Sequence, residues 1–290
     1  MSVYDIVTEI VLKKIEAGTN PWVKPWSDKY GNAAACNFKT KKAYRGINRI
    51  LTNMSGYSCP FWVTYKQAQE LGGSVRKGEK STLITYFQLL KDKQDEKKNI
   101  PILKYYQIFN IEQCDGIELP ELPAVEKNHI ESLESAEKIA KDYSHNQKIE
   151  IRYGGNRAYY SPMNDYVNLP ERDTFTSQDG FYSTMFHELG HSTGHKSRLA
   201  RGLESSEGFG SVSYSKEELV AELCAAFLCS RIGLDNLDQS AAYLKGWIKP
   251  LQDNPKWIVS AAGQAEKAAE FISQYSKIEE GEEVLTVDGE

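Results

Sequence analysis

Two histidines four residues apart, with a glutamate directly after the first, stand at His187-Glu188-Leu189-Gly190-His191 in a 290-residue chain that holds five histidines. On an α-helix, positions i and i+4 lie one turn apart on one face. Both imidazoles then reach one metal ion, and Glu188 is set beside the ion's open position. This HExxH spacing suits a catalytic Zn²⁺ with three protein ligands and a place left for water. Zinc lowers the pKa of water from about 15.7 to about 7, and an adjacent carboxylate can take the proton. The chemistry expected is peptide-bond hydrolysis by a zinc metalloendopeptidase, with Glu188 as general base. The bland alternative is a pair of surface histidines on a helix.

A third ligand has three sources. A histidine completing HExxHxxGxxH would sit at 197; Gly194 fits that pattern, but the residue is Ser197, which excludes the class. His195 would need the helix to run on through Ser192-Thr193-Gly194. Three histidines in one line cannot surround a tetrahedral ion, so a role in the loop or near substrate suits it better. The remaining source is a helix expected over residues 216–232, where Glu218 and Glu222 stand one turn apart. When the last ligand comes from a second helix, one acid binds metal and its partner hydrogen-bonds a ligating histidine. Glu218 is the preferred ligand, with Glu222 behind it. The reverse assignment stays open, as does a simple cap formed by Ser215 and Glu218. No oxyanion-stabilising group stands out among Tyr160, Tyr166, His195 and Arg198.

The elements that must position these residues follow from period and punctuation. Val3, Ile6, Val7, Ile10, Val11 and Ile15 fall at helical spacing before Gly18. Thr64 and Gln67 form a capping box opening a helix over 65–71, which Gly72-Gly73 ends. Strand-like runs at 82–90 and 100–111 flank a charged tip at 91–99. The acidic, proline-bearing stretch around 119–127 marks a boundary. Beyond it come a helix near 130–143, a strand at 148–153, a hairpin over 158–169, and helical patterning from about 176 to 275. The fold class expected is α+β, a mixed amino-terminal domain followed by a mainly helical domain with a small sheet. The domains are 1–118, a linker over 119–127, 128–276, and an acidic tail over 277–290 expected to be disordered.

Composition narrows the setting. No run approaches the roughly 20 apolar residues that span a bilayer, and the start lacks the features of a leader, so the expected location is the cytoplasm, away from membranes. The five cysteines are scattered without CxxC pairing, which suggests buried thiols. The net charge of −5 hides an asymmetry. Residues 1–120 hold 18 Lys and Arg against 12 Asp and Glu, and the remainder carries −11. In the basic half, aromatic and cationic residues interleave, as a groove for single strands requires: bases stack on rings while cations follow the backbone. Lys24, Trp26, Arg45, Asn48, Trp62, Arg76, Lys77 and Lys80 are the candidate contacts.

The ordered set of motifs resembles ArdC-type antirestriction proteins of mobile elements over nearly the whole chain. In the first domain the resemblance rests on Asn20-Pro21-Trp22, Tyr44-Arg45-Gly46-Ile47-Asn48, Trp62-Val63-Thr64 and Val75-Arg76-Lys77-Gly78-Glu79-Lys80. In the second it rests on Ala158-Tyr159-Tyr160-Ser161-Pro162, His187 through His195, and Glu217-Glu218-Leu219-Val220-Ala221-Glu222. It implies an amino-terminal domain that binds single-stranded DNA, a zincin-like metallopeptidase domain acting on an unidentified protein, and protection of incoming plasmid DNA from restriction. His187, His191 and Glu188 carry over securely, Glu218 less so. The rival function is a non-catalytic protein that shields single-stranded DNA, its zinc structural. An intact HExxH favours the enzyme, since a structural site needs four protein ligands and has no use for Glu188.

Overall fold

The computed structural model describes residues 2–16, 34–57, 59–91, 99–118, 129–155, 157–175, 177–203, 212–234 and 246–276. It is α+β and divides into two compact units. One holds residues 1–30, 34–122 and 239–263, and the other holds 31–33, 123–238 and 264–290. The described residues 246–263, which sequence reasoning groups with the carboxy-terminal domain, therefore pack with the amino-terminal unit. The Thr8 hydroxyl donates to the Pro255 carbonyl at 2.7 Å, a tie between distant parts of the chain that no local pattern announces. The linker, the tip of the long hairpin (92–98) and the acidic tail lie outside the described residues.

In the first unit, α1 (Val3–Glu16) buries Val7, Val11, Leu12 and Ile15 along one face. Each such side chain contributes roughly 1.5–3 kcal/mol of burial. A four-stranded sheet runs in the order β1 (Cys36–Asn37), β2 (Phe61–Val63), β5 (Asn99–Asn110) and β4 (Thr82–Lys91), with β1 parallel to β2 and the other pairs antiparallel. Between β1 and β2 lies α2 (Ile47–Asn53). The capping box forms as expected: the Gln67 amide donates to Thr64 Oγ1 at 3.2 Å and the Thr64 amide to Gln67 Oε1 at 2.9 Å, opening α3 (Tyr65–Glu70). Cys59, Phe61, Val63, Ala68 and Ile111 form a core beneath it. A small antiparallel pair, β3 (Ser74–Val75) with β6 (Cys114–Asp115), completes the sheet structure here.

The second unit begins with α4 (His129–Gln147). Its three-stranded sheet has the order β7 (Glu150–Tyr153), β9 (Tyr166–Leu169), β8 (Tyr159–Ser161), so β8 is an edge. Two long helices follow, α5 (Gln178–Ser192) and α6 (Val212–Ile232). Ser177 caps α5 by accepting from the Gly180 amide at 3.0 Å. After α7 (Ile248–Asp253), α8 (Lys256–Ser273) sends its later residues into this unit, where Glu266 pairs with Arg231 at 2.7 Å. Among the described residues no helix is long and apolar enough to cross a membrane.

Candidate metal centre

Helices α5 and α6 must approach closely if side chains from both are to meet one ion, and Gly190 permits it. A Cβ there would lie 3.3 Å from the Ala221 Cα and from the Cys224 Cβ, so the helices touch nearly backbone to backbone. His187 and His191 then face Glu218. Their Nε2 atoms are 3.1 Å apart, the Glu218 carboxylate lies 3.5 Å from His187 Nε2 and 3.3 Å from His191 Nε2, and one ligand atom from each residue fits within 4.8 Å of the other two. Ligands about 2.0–2.1 Å from a tetrahedral ion are separated by roughly 3.3–3.4 Å, so the donor set fits a zinc-sized cation. Among the described residues this is the group that could hold a metal.

Each imidazole keeps its other nitrogen for a carboxylate. Glu222 lies 3.4 Å from His187 Nδ1, and Glu217 lies 3.4 Å from His191 Nδ1. Such partners fix the ring orientation and direct Nε2 to the metal. Glu217 is itself clamped by Arg201, which donates to both carboxylate oxygens at 2.8 and 2.5 Å, to Thr193 Oγ1 at 2.7 Å and to the Gly190 carbonyl at 2.8 Å. Sequence reasoning passed over Glu217 and Arg201. The EE doublet at 217–218 was the available signal, because adjacent helical residues point about 100° apart and serve two faces.

Burial works against charge on His187, but the carboxylates of Glu218 and Glu222 outweigh it and raise the imidazole well above its ordinary range. His191 is raised in the same way, burial being outweighed by Glu217 and Glu218. Burial also pushes the Glu218 carboxyl upward, yet the two imidazoles hold it far below the usual carboxylate range. The cluster is thus poised to exchange protons for a cation. Glu188 is buried beside it and opens, with His187, His191 and Glu218, onto a cleft of about 880 Å³.

The other candidates near the cleft have their polar atoms engaged. Tyr160 donates to Asp165 at 2.7 Å and accepts from Arg198 at 3.1 Å. The Arg198 side chain is 1 % exposed, pairs with Asp165, and donates to the Ser192 carbonyl at 2.7 Å. That pair ties the β8–β9 turn to the end of α5, so Arg198 is a strut and not a donor to substrate. His195 sits in the turn after α5 with Nδ1 2.7 Å from Ser197 Oγ. Tyr166 contacts the Tyr159 hydroxyl at 3.1 Å, and Tyr159 lines the cleft.

In the first unit the candidate contacts part company. Lys24 and Trp26 lie outside the described residues. Trp62, expected to stack on bases, is 1 % exposed and packs edge-on against Tyr57, so it is a core residue with no free face. Asn48 spends its amide on Thr85, donating to the carbonyl at 2.7 Å and accepting from the backbone amide at 2.7 Å. Arg76 is held by Glu79 and Asp115 and donates to the Glu112 carbonyl at 2.5 Å. Arg45, Lys77 and Lys80 are exposed. Besides Tyr65 on α3, the exposed aromatics described in this unit are on the long hairpin: Tyr86, Phe87, Tyr105 and Tyr106 are each about half exposed. Tyr86 pairs in register with Lys104 and meets Tyr106 edge-on, which sets two rings and a cation on one face.

Comparisons with known proteins agree with this architecture. Residues 1–109 match the N-terminal domain of anti-restriction factor ArdC, and residues 135–264 match a zincin-like metallopeptidase family. Crystal structures of antirestriction ArdC from plasmid R388 are similar over nearly the whole chain. The metal-free form has a TM-score of 0.73 at 37 % identity, covering 95 % of this chain and 98 % of that one. The Mn(II)-bound form gives 0.75 at 36 %, covering 96 % and 99 %. A DNA primase TraC of Escherichia coli is 37 % identical over 94 % of this chain, which spans only 27 % of that primase. With both domain families matched in order and a full-length structural relative at this identity, the chain belongs to the ArdC antirestriction family.

Proposed function

We propose that this protein is a cytoplasmic, DNA-associated zinc metallopeptidase of the antirestriction type. The observation that carries the proposal is the convergence of His187, His191 and Glu218 within 4.8 Å, with Glu188 on the same open cleft. Two imidazoles and one carboxylate are a donor set suited to Zn²⁺, whereas Mn²⁺ favours oxygen ligands. The Mn(II)-bound relative makes metal analysis of the purified protein the necessary companion measurement. Zinc would supply Lewis acidity toward water and toward a scissile carbonyl. The chain's own residues do the rest. Glu188 accepts the proton of the attacking water and returns it to the leaving amine, Glu217 and Glu222 hold the imidazoles in orientation, and the cleft beside edge strand β8 receives the peptide.

Single-stranded DNA is the proposed partner of the amino-terminal unit. Support comes from the ArdC N-terminal match and from the exposed rings and Lys104 on the hairpin. The enzymatic part is tested with Glu188→Gln. Metal content should be retained, while cleavage falls by about 10²–10⁴-fold. Undiminished cleavage in that variant would refute Glu188 as the base, and undiminished protection from restriction with cleavage lost would leave a DNA-shielding protein.

A further inference from the structure

Among the described residues, the cleft that holds the metal centre is lined by six charged side chains other than histidine and Glu188. Glu217 is neutralised by Arg201, and Glu218 faces the two imidazoles. That leaves Arg157, Lys216 and Lys267, which form no ion pair among the described residues. Arg157 precedes the edge strand β8, Lys216 begins the turn of α6 that carries Glu217 and Glu218, and Lys267 projects from α8. The cations therefore come from three separate elements around one opening. A bound divalent ion together with Arg201 offsets three of the four carboxylates around the site, Glu188, Glu217, Glu218 and Glu222, so these three cations leave the described part of the cleft with a surplus of two positive charges. Low-dielectric walls focus such a field into the cleft and raise the local concentration of anionic ligands.

We infer that the cleft selects acidic peptide segments, with Asp or Glu side chains of the substrate seated against Arg157, Lys216 and Lys267. This rests on the hydrolytic reading of the same site. A folded substrate would supply the segment in extended form beside β8, where a strand edge gives backbone hydrogen bonds and alternate side chains reach the rim. An exposed ion pair is modest, so each acid opposite one of these cations should change recognition by about two- to fivefold.

The test uses the full chain loaded with zinc and fluorescence-quenched nonapeptides in which Glu, Gln or Lys is fixed at each position in turn. At one or more positions kcat/KM should fall from Glu to Gln to Lys. The order should reverse in the Arg157→Glu/Lys216→Glu/Lys267→Glu variant, and in Lys267→Glu alone the Glu preference should shrink. In parallel, fluorescence polarisation measures binding of the same peptides to Glu188→Gln, with affinity for Glu peptides falling as salt is raised from roughly 50 to 300 mM. Equal rates for Glu, Gln and Lys peptides would overturn the inference while leaving hydrolysis intact. No cleavage of any peptide, with tighter binding of Glu peptides, would uphold the selection and sink the hydrolytic reading instead. Neither cleavage nor selective binding overturns both. Equal binding of Glu, Gln and Lys peptides together with direct binding of a single-stranded oligonucleotide that is lost in the triple variant would assign the rim to nucleic acid and refute the inference.

Discussion

Glu217 and Glu218 are neighbours in sequence with unlike tasks. Glu218 faces both Nε2 atoms, whereas Glu217 stands behind His191 and is held by the four hydrogen bonds that Arg201 makes around it. Removing the charge in Glu217→Gln, or the clamp in Arg201→Ala, should weaken metal binding by about 10–100-fold. Chelator competition reads this, with circular dichroism reporting the fold. Arg201→Lys should restore little, because an ammonium cannot span Glu217, Thr193 and the Gly190 carbonyl at once. Unchanged affinity in all three variants would reduce the clamp to a loop tether. Protons compete at the same nitrogens. Because the metal-free His187 imidazole is raised well above 6.5, metal affinity should begin to fall on acidification while the pH is still above that value. The sign reverses for the metal-free protein. A raised histidine contributes stability that is fully present below its unfolded pKa and is lost as pH rises through the folded one. Metal titrations and thermal melts from pH about 5 to about 10 check both directions.

At the scale of elements, the close contact of α5 with α6 and the turn after α5 do the positioning. Gly194 is closely packed in that turn: a Cβ there would lie 2.7 Å from Leu203 Cδ1 and 3.0 Å from the Arg201 guanidinium, so both side chains would have to shift. Gly194→Ala should therefore cost about 1 kcal/mol, the low end for overpacking, because side chains and not backbone must move. It should also lower metal affinity through the displaced Arg201, and a normal melting temperature with normal affinity would contradict this. The same glycine fitted a motif in sequence whose final histidine is missing, so its real reason is packing that only the folded turn reveals. Elements with a local signature were legible: the apolar stripe of α1, the capping box of α3, the paired runs of β4 and β5, and the HExxH helix. Pairings made across long separations were not. The parallel contact of β1 with β2 and the docking of residues 246–263 on the amino-terminal unit depend on partners far along the chain. Burial was the other blind spot, because a tryptophan beside lysines reads alike as core or as a stacking platform. Trp62 is core, and Trp62→Ala should cost about 3–5 kcal/mol instead of selectively weakening DNA binding.

For the whole molecule, the uneven charge along the chain asks which surface a nucleic acid would use. Counting cations does not decide it, since Arg76 is already paired and Asn48 is committed to Thr85. The exposed rings offer a sharper criterion, because burying them would have stabilised the fold and the hairpin leaves them in water. Stacking on an aromatic face is worth about 1–3 kcal/mol per base, so Tyr86→Ala/Tyr106→Ala should weaken binding of a single-stranded oligonucleotide by at least tenfold. The slope of log affinity against log salt should stay the same, because no cation is removed. Lys104→Ala should instead lower that slope by about 0.7 with a smaller loss of affinity. Peptide cleavage should survive all three changes, since none of these residues lines the metal cleft. Two failures carry different meanings. Full affinity in the tyrosine double variant would move the DNA surface off the hairpin, and a flat salt dependence in the unaltered protein would remove phosphate contacts from the account altogether.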